Sequence, residues 1–314
     1  MRRAVVFLMG ATAAGKSALA LEIARRLPVE IVSVDSTQVY RGLDIGSAKP
    51  DAATQAEVPH HLVDIRDPAD SYSAAAFAHD AARAIAAIHA RGRIPLLVGG
   101  TMLYFKALRD GLAELPAADV AVRSAIEAEA AVLGWPAMHA RLARIDPAIA
   151  ARLQPMDRQR VQRALEIHLL TGELPSRLQA LGSGGLAQDP QLALLQFAVG
   201  PMDRRALDAA MASRFDAMLR AGLVEEVRAL LAQPGVHAAL PSMRAVGYRQ
   251  VCAWLDGQLA TEAMRDDAVK ATRDLAKRQY TWLRKWPELT WLEAGAAGVA
   301  AVEARLSSVR ERTD

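Results

Sequence analysis

The sequence contains little of what stabilises small secreted proteins or anchors membrane proteins. Cys252 is the only cysteine among 314 residues, so neither an internal disulfide nor a cysteine-based metal cage can form. Aromatic residues make up only 5%, and no apolar run approaches the roughly 18 residues that a membrane span needs. Neither sign of charge dominates, since 38 basic and 35 acidic residues leave a net charge of +3. We therefore expect a cytoplasmic protein with no membrane partner.

The sequence does contain enough apolar material for a large folded core. Hydrophobic residues account for 52% of the chain and charged residues for 23%, which is typical of globular proteins. At about 150 residues per domain, the length suggests two domains or one large core with an insertion. The small net charge does not by itself identify a nucleic-acid-binding protein.

Strands and helices alternate in the first third of the chain. Apolar runs predict strands at residues 4–9, 30–34 and 94–98. Helical periodicity predicts helices at residues 18–27 and 73–91. This alternation favours a parallel α/β sheet.

The pattern changes in the middle of the chain. Residues 119–180 show helical periodicity without a convincing strand, and a turn-rich stretch at residues 181–190 ends this region. The elements predicted after it are a strand at 191–199, helices at about 203–221, 223–232, 244–255 and 261–284, a strand near 289–292 and a helix from about 299. We predict a core formed by residues 1–116 and 188–314, interrupted by an all-helical insertion domain at residues 117–187.

A phosphate-binding pattern lies between the first strand and the first helix. Residues 10–17 match G-x-x-x-x-G-K-[ST], in which backbone N–H groups and the positive end of the helix face the anion. The predicted ligands are Gly10, Ala11, Thr12, Ala13, Ala14, Gly15, Lys16 and Ser17. Lys16 adds a full charge, and Ser17 offers a hydroxyl to a Mg²⁺ ion bridging two phosphates. The pattern predicts a P-loop NTPase-like core that binds a diphosphate or triphosphate with Mg²⁺.

The P-loop alone leaves the reaction open. A kinase for a nucleoside or small metabolite would use Asp35, at the end of the second strand, as the base for an acceptor hydroxyl. The third strand runs into residues 99–101 (Gly-Gly-Thr), where many nucleotide hydrolases place a metal-directed aspartate. Adjacent His60 and His61 could suggest a metal, but they would point apart in an extended segment, and a structural role is favoured. The kinase interpretation stays open at this point.

Further motifs follow the P-loop in order along the chain. They are residues 35–50 (DSTQVYRGLDIGSAKP), 59–64 (PHHLVD), 99–104 (GGTMLY), 157–166 (DRQRVQRALE) and 243–250 (MRAVGYRQ). With the P-loop, they resemble the bacterial tRNA dimethylallyltransferases (tRNA isopentenyltransferases) over nearly the whole chain. Ala11, Ala14 and Ser47 differ from the family forms, and none of these differences removes a needed functional group.

The resemblance implies a reaction different from phosphoryl transfer. A dimethylallyl group would pass from dimethylallyl diphosphate to the exocyclic amine of the adenosine on the 3′ side of the anticodon of tRNA. The P-loop, Lys16 and Mg²⁺ would then stabilise the diphosphate that leaves. Asp35 would remove the amine proton, and Thr101 would orient the reacting groups. The chain is expected to bind the tRNA anticodon stem-loop as a monomer.

The resemblance also implies which residues contact tRNA. Near the reacting groups they are Asp35, Ser36, Thr37, Gln38 and Thr101; in the insertion, Arg123, Gln159, Arg160, Val161, Gln162 and Arg163; and in a later loop, Leu240, Pro241, Ser242, Met243, Arg244 and Ala245. An anticodon-loop base must be unstacked to reach a buried site, and contacts of this kind would offset that cost.

A second basic segment lies near the C-terminus. Residues 268–286 contain six Lys or Arg residues against one Asp. Lys270, Arg273 and Lys277 lie on one helical face, while Tyr280, Trp282 and Trp286 interleave with the basic residues. The tryptophans could stack on bases, but packing in the protein core is favoured for them. Such a segment shows why a net charge near zero does not exclude RNA as a partner.

Overall fold

The computed structural model describes residues 2–113, 115–180, 184–200 and 203–311. The chain forms two compact units. The first combines Met1–Arg109 with Asp189–Asp314, and the second is Asp110–Gln188. The predicted insertion at residues 117–187 falls within the second of these ranges. Of the predicted turn-rich stretch at 181–190, residues 181–183 lie outside the described residues.

One parallel sheet forms the centre of the first unit. Its six strands within the described residues are β1 (Arg3–Gly10), β2 (Val29–Val34), β3 (His60–His61), β4 (Ile94–Gly99), β5 (Leu192–Val199) and β6 (Thr290–Leu292). They pair in the order β3-β2-β4-β1-β5-β6, and every pairing is parallel. The predicted parallel α/β sheet is therefore confirmed, and β5 returns to it as predicted.

Helices account for most of the remaining described residues. They are α1 (Lys16–Arg26), α2 (Ala52–Glu57), α3 (Ala74–Ala90), α4 (Met102–Asp110), α5 (Val120–Leu133), α6 (Trp135–Ile145), α7 (Pro147–Ala150), α8 (Arg158–Thr171), α9 (Pro175–Ala180), α10 (Arg204–Arg220), α11 (Leu223–Leu231), α12 (Tyr248–Leu255), α13 (Thr261–Leu283) and α14 (Ala296–Glu311). No helix in the described part of the chain is both long and apolar enough to cross a membrane.

The central strands are apolar on both faces because helices cover both faces of the sheet. Val6, Leu8 and Leu96 are fully buried, and on one side they belong to a core that includes Leu19 of α1 and Val302 of α14. This double burial explains why β1, β2 and β4 appear in the sequence as continuous apolar runs rather than as alternating ones.

A second core holds the loop after β2 in place. Val39, Tyr40 and Leu43 are buried in one cluster with Val227 of α11 and Tyr248 of α12. Glu226 of α11 accepts hydrogen bonds from the backbone N–H groups of Asp44 and Ile45 (3.1 and 2.7 Å) and from the Tyr248 hydroxyl (2.6 Å). Packing and hydrogen bonding thus give the segment after Asp35 a defined path.

The structure decides two predictions about this unit: where the helix predicted at 244–255 begins, and what His60 and His61 contact. The helix predicted at 244–255 begins only at Tyr248, because the chain turns before it and Gly247 adopts a φ of 93°. His60 Nδ1 lies 2.7 Å from the Val58 carbonyl oxygen, and His61 Nε2 lies 2.7 Å from Glu30 Oε2. Both imidazoles therefore have structural partners, as the sequence favoured.

The second unit consists of helices α5 to α9 around a core of its own. Ile126 of α5, Leu142 of α6 and Leu165 of α8 are buried in that core. Glu166, one residue further along α8, is also fully buried and accepts hydrogen bonds from Arg123 (2.9 and 3.1 Å), Arg163 (2.6 Å) and the backbone N–H of Asp119 (2.8 Å).

The Glu166 carboxylate is the electrostatic centre of this unit. Burial by itself would raise the pKa of Glu166, but the hydrogen bonds from Arg123, Arg163 and the Asp119 backbone outweigh it, so its pKa lies below the ordinary value. Glu166 is therefore ionised at neutral pH and joins α8 to α5 through the Arg123 guanidinium and the Asp119 backbone N–H, while Arg163 pairs with it from the same helix.

We predict that Glu166→Ala lowers the free energy of unfolding by about 1–3 kcal/mol, since charge-assisted hydrogen bonds are lost but the partly exposed arginines can be hydrated. Urea unfolding followed by circular dichroism measures the effect. Glu173→Ala is the matched control, because the Glu173–Arg177 pair is exposed and its atoms are 3.4 Å apart. Equal losses in the two variants would contradict the central role of Glu166.

Candidate active site

The carboxyl ends of three neighbouring strands open into one pocket of the first unit. The pocket has a volume of about 960 Å³. Lys16 and Ser17 line it from the P-loop after β1, Asp35 from the loop after β2 and Thr101 from the turn after β4. Because β2, β4 and β1 are adjacent in a parallel sheet, their following loops meet at one edge, where α/β proteins bind ligands.

The P-loop, which lines this pocket through Thr12, Lys16 and Ser17, contains unpaired backbone donors. Ala13 and Gly15 have positive φ angles of 62° and 87°, which turn successive peptide groups toward one side. Among the described residues, none accepts a hydrogen bond from the backbone N–H groups of Ala13, Gly15, Lys16 or Ser17. Since Lys16 and Ser17 also begin α1, the helix dipole reinforces the attraction for an anion.

Two cationic side chains lie beside these donors. Lys16 Nζ donates to the Ala11 carbonyl oxygen at 2.6 Å, and Arg214 of α10 donates to the Thr12 hydroxyl at 3.2 Å. The pKa of Lys16 is lowered to about 8, mainly by burial and also by the nearby Arg214, while Asp35 opposes the change. Burial also lowers the pKa of Arg214, again opposed by Asp35. The pocket therefore holds two poorly hydrated cations that an anionic ligand would stabilise.

Asp35 keeps one carboxylate oxygen available. Oδ1 accepts hydrogen bonds from the backbone N–H and the hydroxyl of Thr37 (2.8 and 2.5 Å) and, at 3.4 Å, from the backbone N–H of Gln38. Within the described residues, Oδ2 has no hydrogen-bond donor. The orientation of the carboxylate is thus fixed through one oxygen, while the other can accept a proton or a donor from a ligand.

Thr101 is fixed against the same loop. Its hydroxyl oxygen accepts a hydrogen bond from the backbone N–H of Ser36 at 3.2 Å, and its own N–H donates to the Val34 carbonyl oxygen at 3.3 Å. The preceding Gly99 has no room for a side chain, since a Cβ there would overlap the Val34 carbonyl group. Tight contact between the ends of β2 and β4 therefore places Thr101 next to Asp35.

The three other predicted tRNA contacts in this loop differ in availability. Ser36 is exposed and lines the pocket, whereas Thr37 is engaged with Asp35. Gln38 accepts the Ser33 hydroxyl hydrogen at 2.7 Å and donates to the carbonyl oxygens of Ser47 and Ala48 (3.3 and 3.2 Å). Gln38 thus shapes the wall of the pocket as well as lining it.

Only part of the loop at residues 240–245, which was predicted to contact tRNA, lines the pocket. Pro241, Arg244 and Ala245 line the pocket. Met243 is fully buried, and Ser242 is buried with its hydroxyl bonded to the Pro68 carbonyl oxygen at 2.6 Å. The Ser242 and Met243 side chains therefore pack beneath the loop, and the predicted contact of these two residues with tRNA stays a prediction for their backbone. Leu240 is partly buried in the core below it.

The predicted contacts of the second unit also divide into two groups. Gln159 and Arg160 are exposed, and Arg123 and Arg163 hold the buried Glu166 while remaining partly exposed. Gln162 donates to Glu127 at 2.8 Å. Val161 is fully buried among the helices of its unit, so its side chain has a packing role, and the predicted contact of this residue with tRNA stays a prediction for its backbone.

The tryptophans of the second basic segment have different environments. Trp286 is buried and donates its indole N–H to Gln196 at 2.8 Å, which confirms core packing. Trp282 is 39% exposed and lines the pocket together with Arg278, so core packing was the wrong expectation there. The environments differ because Trp286 follows the end of α13 and bonds to Gln196 of β5, while Trp282 lies within α13 and faces the pocket.

Comparison with known proteins identifies the family. A family model described as IPP transferase matches residues 38–286. A tRNA dimethylallyltransferase from Bordetella pertussis is 58% identical over 304 residues, which cover 96% of this chain and 97% of the relative. The chain belongs to the tRNA dimethylallyltransferase family.

Solved structures of related proteins share the fold. The full-length tRNA isopentenylpyrophosphate transferase from Bacillus halodurans is 35% identical, with a TM-score of 0.70 over 99% of this chain and 98% of that one. A eukaryotic dimethylallyltransferase acting on tRNA is 25% identical, with a TM-score of 0.81 over 99% of this chain and 80% of that one. The predicted family and fold class are therefore confirmed.

Sequence reasoning missed two polar residues of this tRNA dimethylallyltransferase-family site. Arg214 follows the buried Met211 of α10 by three residues and precedes the buried Phe215, so helical spacing puts a cation next to the apolar face. Gln279 is buried on α13 between Ala276 and Leu283. A polar residue on the buried face of a helix is the signal that could have identified both.

We predict that the affinity for inorganic diphosphate falls as the pH rises through about 8. The charged form of Lys16 is fully present below its pKa and is lost above it, so affinity is retained at lower pH and decreases by up to about tenfold per pH unit above 8. Isothermal titration calorimetry between pH 6.5 and 9.5 measures this dependence.

Lys16→Arg supplies the control for the ionisation of diphosphate itself, because its cation does not titrate in this range. The ratio of wild-type to variant affinity should fall with pH. Arg214→Gln should move the inflection to higher pH, since Arg214 contributes to the lowered pKa of Lys16. A constant ratio between wild type and Lys16→Arg would refute the assignment.

Proposed function

We propose that the protein transfers a dimethylallyl group from dimethylallyl diphosphate to the exocyclic amine of the adenosine 3′-adjacent to the anticodon of tRNA, with release of diphosphate. One observation carries the proposal. A P-loop with unpaired backbone N–H groups, two cationic side chains and an Asp35 carboxylate with one unbonded oxygen meet at the same pocket. Membership of the tRNA dimethylallyltransferase family supports it.

The P-loop side of the pocket would bind the leaving group. As the allylic carbon–oxygen bond breaks, its electron pair stays on the diphosphate and negative charge develops there. The free N–H groups, Lys16 and Arg214 lie where they would stabilise that charge. Because they are already oriented before the ligand binds, little reorganisation is required during the reaction.

The opposite side of the pocket would activate the nucleophile. The amine lone pair of adenine is delocalised into the ring, so removal of a proton while the new carbon–nitrogen bond forms assists the attack. Oδ2 of Asp35 would accept that proton, a contribution typically worth about 10²- to 10⁴-fold in rate. Thr101, which is anchored to Ser36, would orient the amine between Asp35 and the diphosphate.

Magnesium belongs to this proposal. Within the described residues, no group of three or more His, Cys, Asp or Glu side chains is arranged to hold a metal. Mg²⁺ would therefore be held mainly by diphosphate oxygens and water, with the exposed Ser17 hydroxyl as the protein ligand that fits it. When bound, Mg²⁺ supplies additional positive charge against the leaving diphosphate.

The remaining parts of the proposal concern tRNA. The exposed Gln159 and Arg160 of the second unit, and Ser36, Arg244 and Arg278 at the pocket, are among the residues that could contact the anticodon stem-loop. Action as a monomer and a cytoplasmic location stay predictions that accompany this substrate. The kinase interpretation is not favoured, because relatives that match nearly the whole chain carry the name tRNA dimethylallyltransferase.

Transfer of label tests the proposal directly. Purified protein with Mg²⁺, unmodified tRNA and radiolabelled dimethylallyl diphosphate should place label in the tRNA in the absence of ATP. Omission of Mg²⁺ should reduce the rate. Phosphorylation of a small acceptor by ATP with no label in tRNA would instead support the kinase.

We further predict that Asp35→Asn lowers the single-turnover rate by at least about 10²-fold while tRNA affinity changes by less than about threefold. The amide oxygen can still accept the Thr37 hydrogen bonds, so the loop keeps its shape and only the base is lost. Rapid-quench kinetics and filter binding measure the two quantities. Asp203→Asn, at the N-terminal cap of α10 and away from the pocket, is the matched control and should react like the wild type. An unchanged rate in Asp35→Asn would remove Asp35 from the base role.

A further inference from the structure

A single buried glutamine connects the two halves of the pocket. Gln279 of α13 is only 7% exposed. Its Oε1 accepts a hydrogen bond from the backbone N–H of Thr12 in the P-loop at 2.9 Å. Its Nε2 donates to the carbonyl oxygen of Gly100, which immediately precedes Thr101, also at 2.9 Å. Both ends of one side-chain amide are thus bonded to the backbone of the two loops that would hold opposite reactants.

The residues around this amide leave room only for the side chain of Gln279. Gly100 needs no left-handed conformation, yet a Cβ at this position would collide with Nε2 of Gln279. The glycine therefore matters for the close approach of the glutamine and not for backbone strain. On the P-loop side, Gln279 accepts a hydrogen bond from the N–H of Thr12 only. The N–H groups of Ala13, Gly15, Lys16 and Ser17 stay unpaired.

We propose that Gln279 is a positioning residue that sets the distance between the diphosphate-binding loop and the Thr101–Asp35 side of the pocket. The inference rests on the proposed function. The connection runs from Thr12 through Gln279 to Gly100 and Thr101, and from the Thr101 hydroxyl to the backbone of Ser36, next to Asp35. Gln279 holds the two loops, while the residues that bind diphosphate are others.

This division of roles predicts a separation of turnover from diphosphate binding. A change in the distance between two reactants slows their reaction steeply, because an error of about 1 Å costs on the order of 10²-fold. The unpaired N–H groups and Lys16 remain in place when Gln279 is changed. Loss of the connection should therefore lower kcat and leave the affinity for diphosphate nearly unaltered.

Gln279→Met removes both hydrogen bonds at nearly constant volume. We expect kcat for tRNA prenylation to fall by at least about tenfold, with the Kd for inorganic diphosphate within about threefold of wild type. Gln196→Met is the matched control, since Gln196 is also buried and joins separate segments through Arg109 and Trp286, but does not line the pocket. The control should lose thermal stability while its kcat stays unchanged.

Gln279→Glu adds a second measurement, the pH dependence of kcat, which would not change if Gln279 had only a structural role. The carboxylate can accept from Thr12 but cannot donate to the Gly100 carbonyl oxygen until it is protonated. Its kcat relative to wild type should recover as the pH is lowered from 8 to 6, since burial raises the pKa of a carboxyl group. The other charged or titratable groups that line the pocket are the same in both proteins, so the ratio isolates position 279; they are Lys16, Asp35, Tyr40, Lys49, Asp51, His60, Tyr72, Arg214, Arg244 and Arg278.

Gly100→Ala provides an independent route to the same loss. The added Cβ would displace the Gln279 amide, so the single variant should reproduce the fall in kcat. The double variant with Gln279→Met should be no slower than either single variant, because both remove one connection. Additive losses would show that the two residues act separately and would overturn the proposal.

The remaining outcomes are equally decisive. An unchanged kcat in Gln279→Met, or a loss of diphosphate affinity as large as the loss of kcat, would overturn a positioning role. If the wild type itself transfers no label, the proposed function fails, and amide hydrogen exchange measured by NMR then tests the connection alone. Faster exchange of the Thr12 amide in Gln279→Met supports it, and unchanged exchange refutes it.

Discussion

The parallel alignment of β2, β4 and β1 is the constraint on which the site depends. In this register Val34 lies opposite Gly99, and Gly99 lies opposite Met9, so the three strands end at the same level. Gly99 permits this, since any side chain there would overlap the backbone of β2. Lys16, Asp35 and Thr101 all lie within a few residues of these strand ends, and the groups they carry are consequently close together.

The chemistry of the pocket follows from how charge is buried around that edge. Lys16 and Arg214 are cations held next to each other, with Asp35 as the counter-charge of the same pocket. A site of this kind is electrostatically unsatisfied until an anion enters it. The energy that would be gained on neutralising both cations is available for binding a diphosphate and for stabilising it as it departs.

Several residues that were predicted to contact tRNA also have structural roles. Arg123 and Arg163 neutralise the buried Glu166, and Val161 and Met243 fill cores. The family motifs of this chain therefore contain two kinds of side chain. Some can face a ligand, and others pack beneath them and hold the backbone in place. The distinction depends on burial, which a linear motif does not contain.

The sequence by itself determined the features that depend on neighbouring residues: the P-loop at residues 10–17, the apolar strands that end at Asp35 and Gly99, and the helical character of residues 119–180. These follow from local backbone geometry and from hydrophobic periodicity. Only the tertiary structure decided that Arg214 and Gln279 reach the P-loop, that Trp282 lines the pocket and that Ser242 lies beneath its loop. Those contacts join residues far apart in the chain, and their partners are selected by packing, which no local pattern encodes.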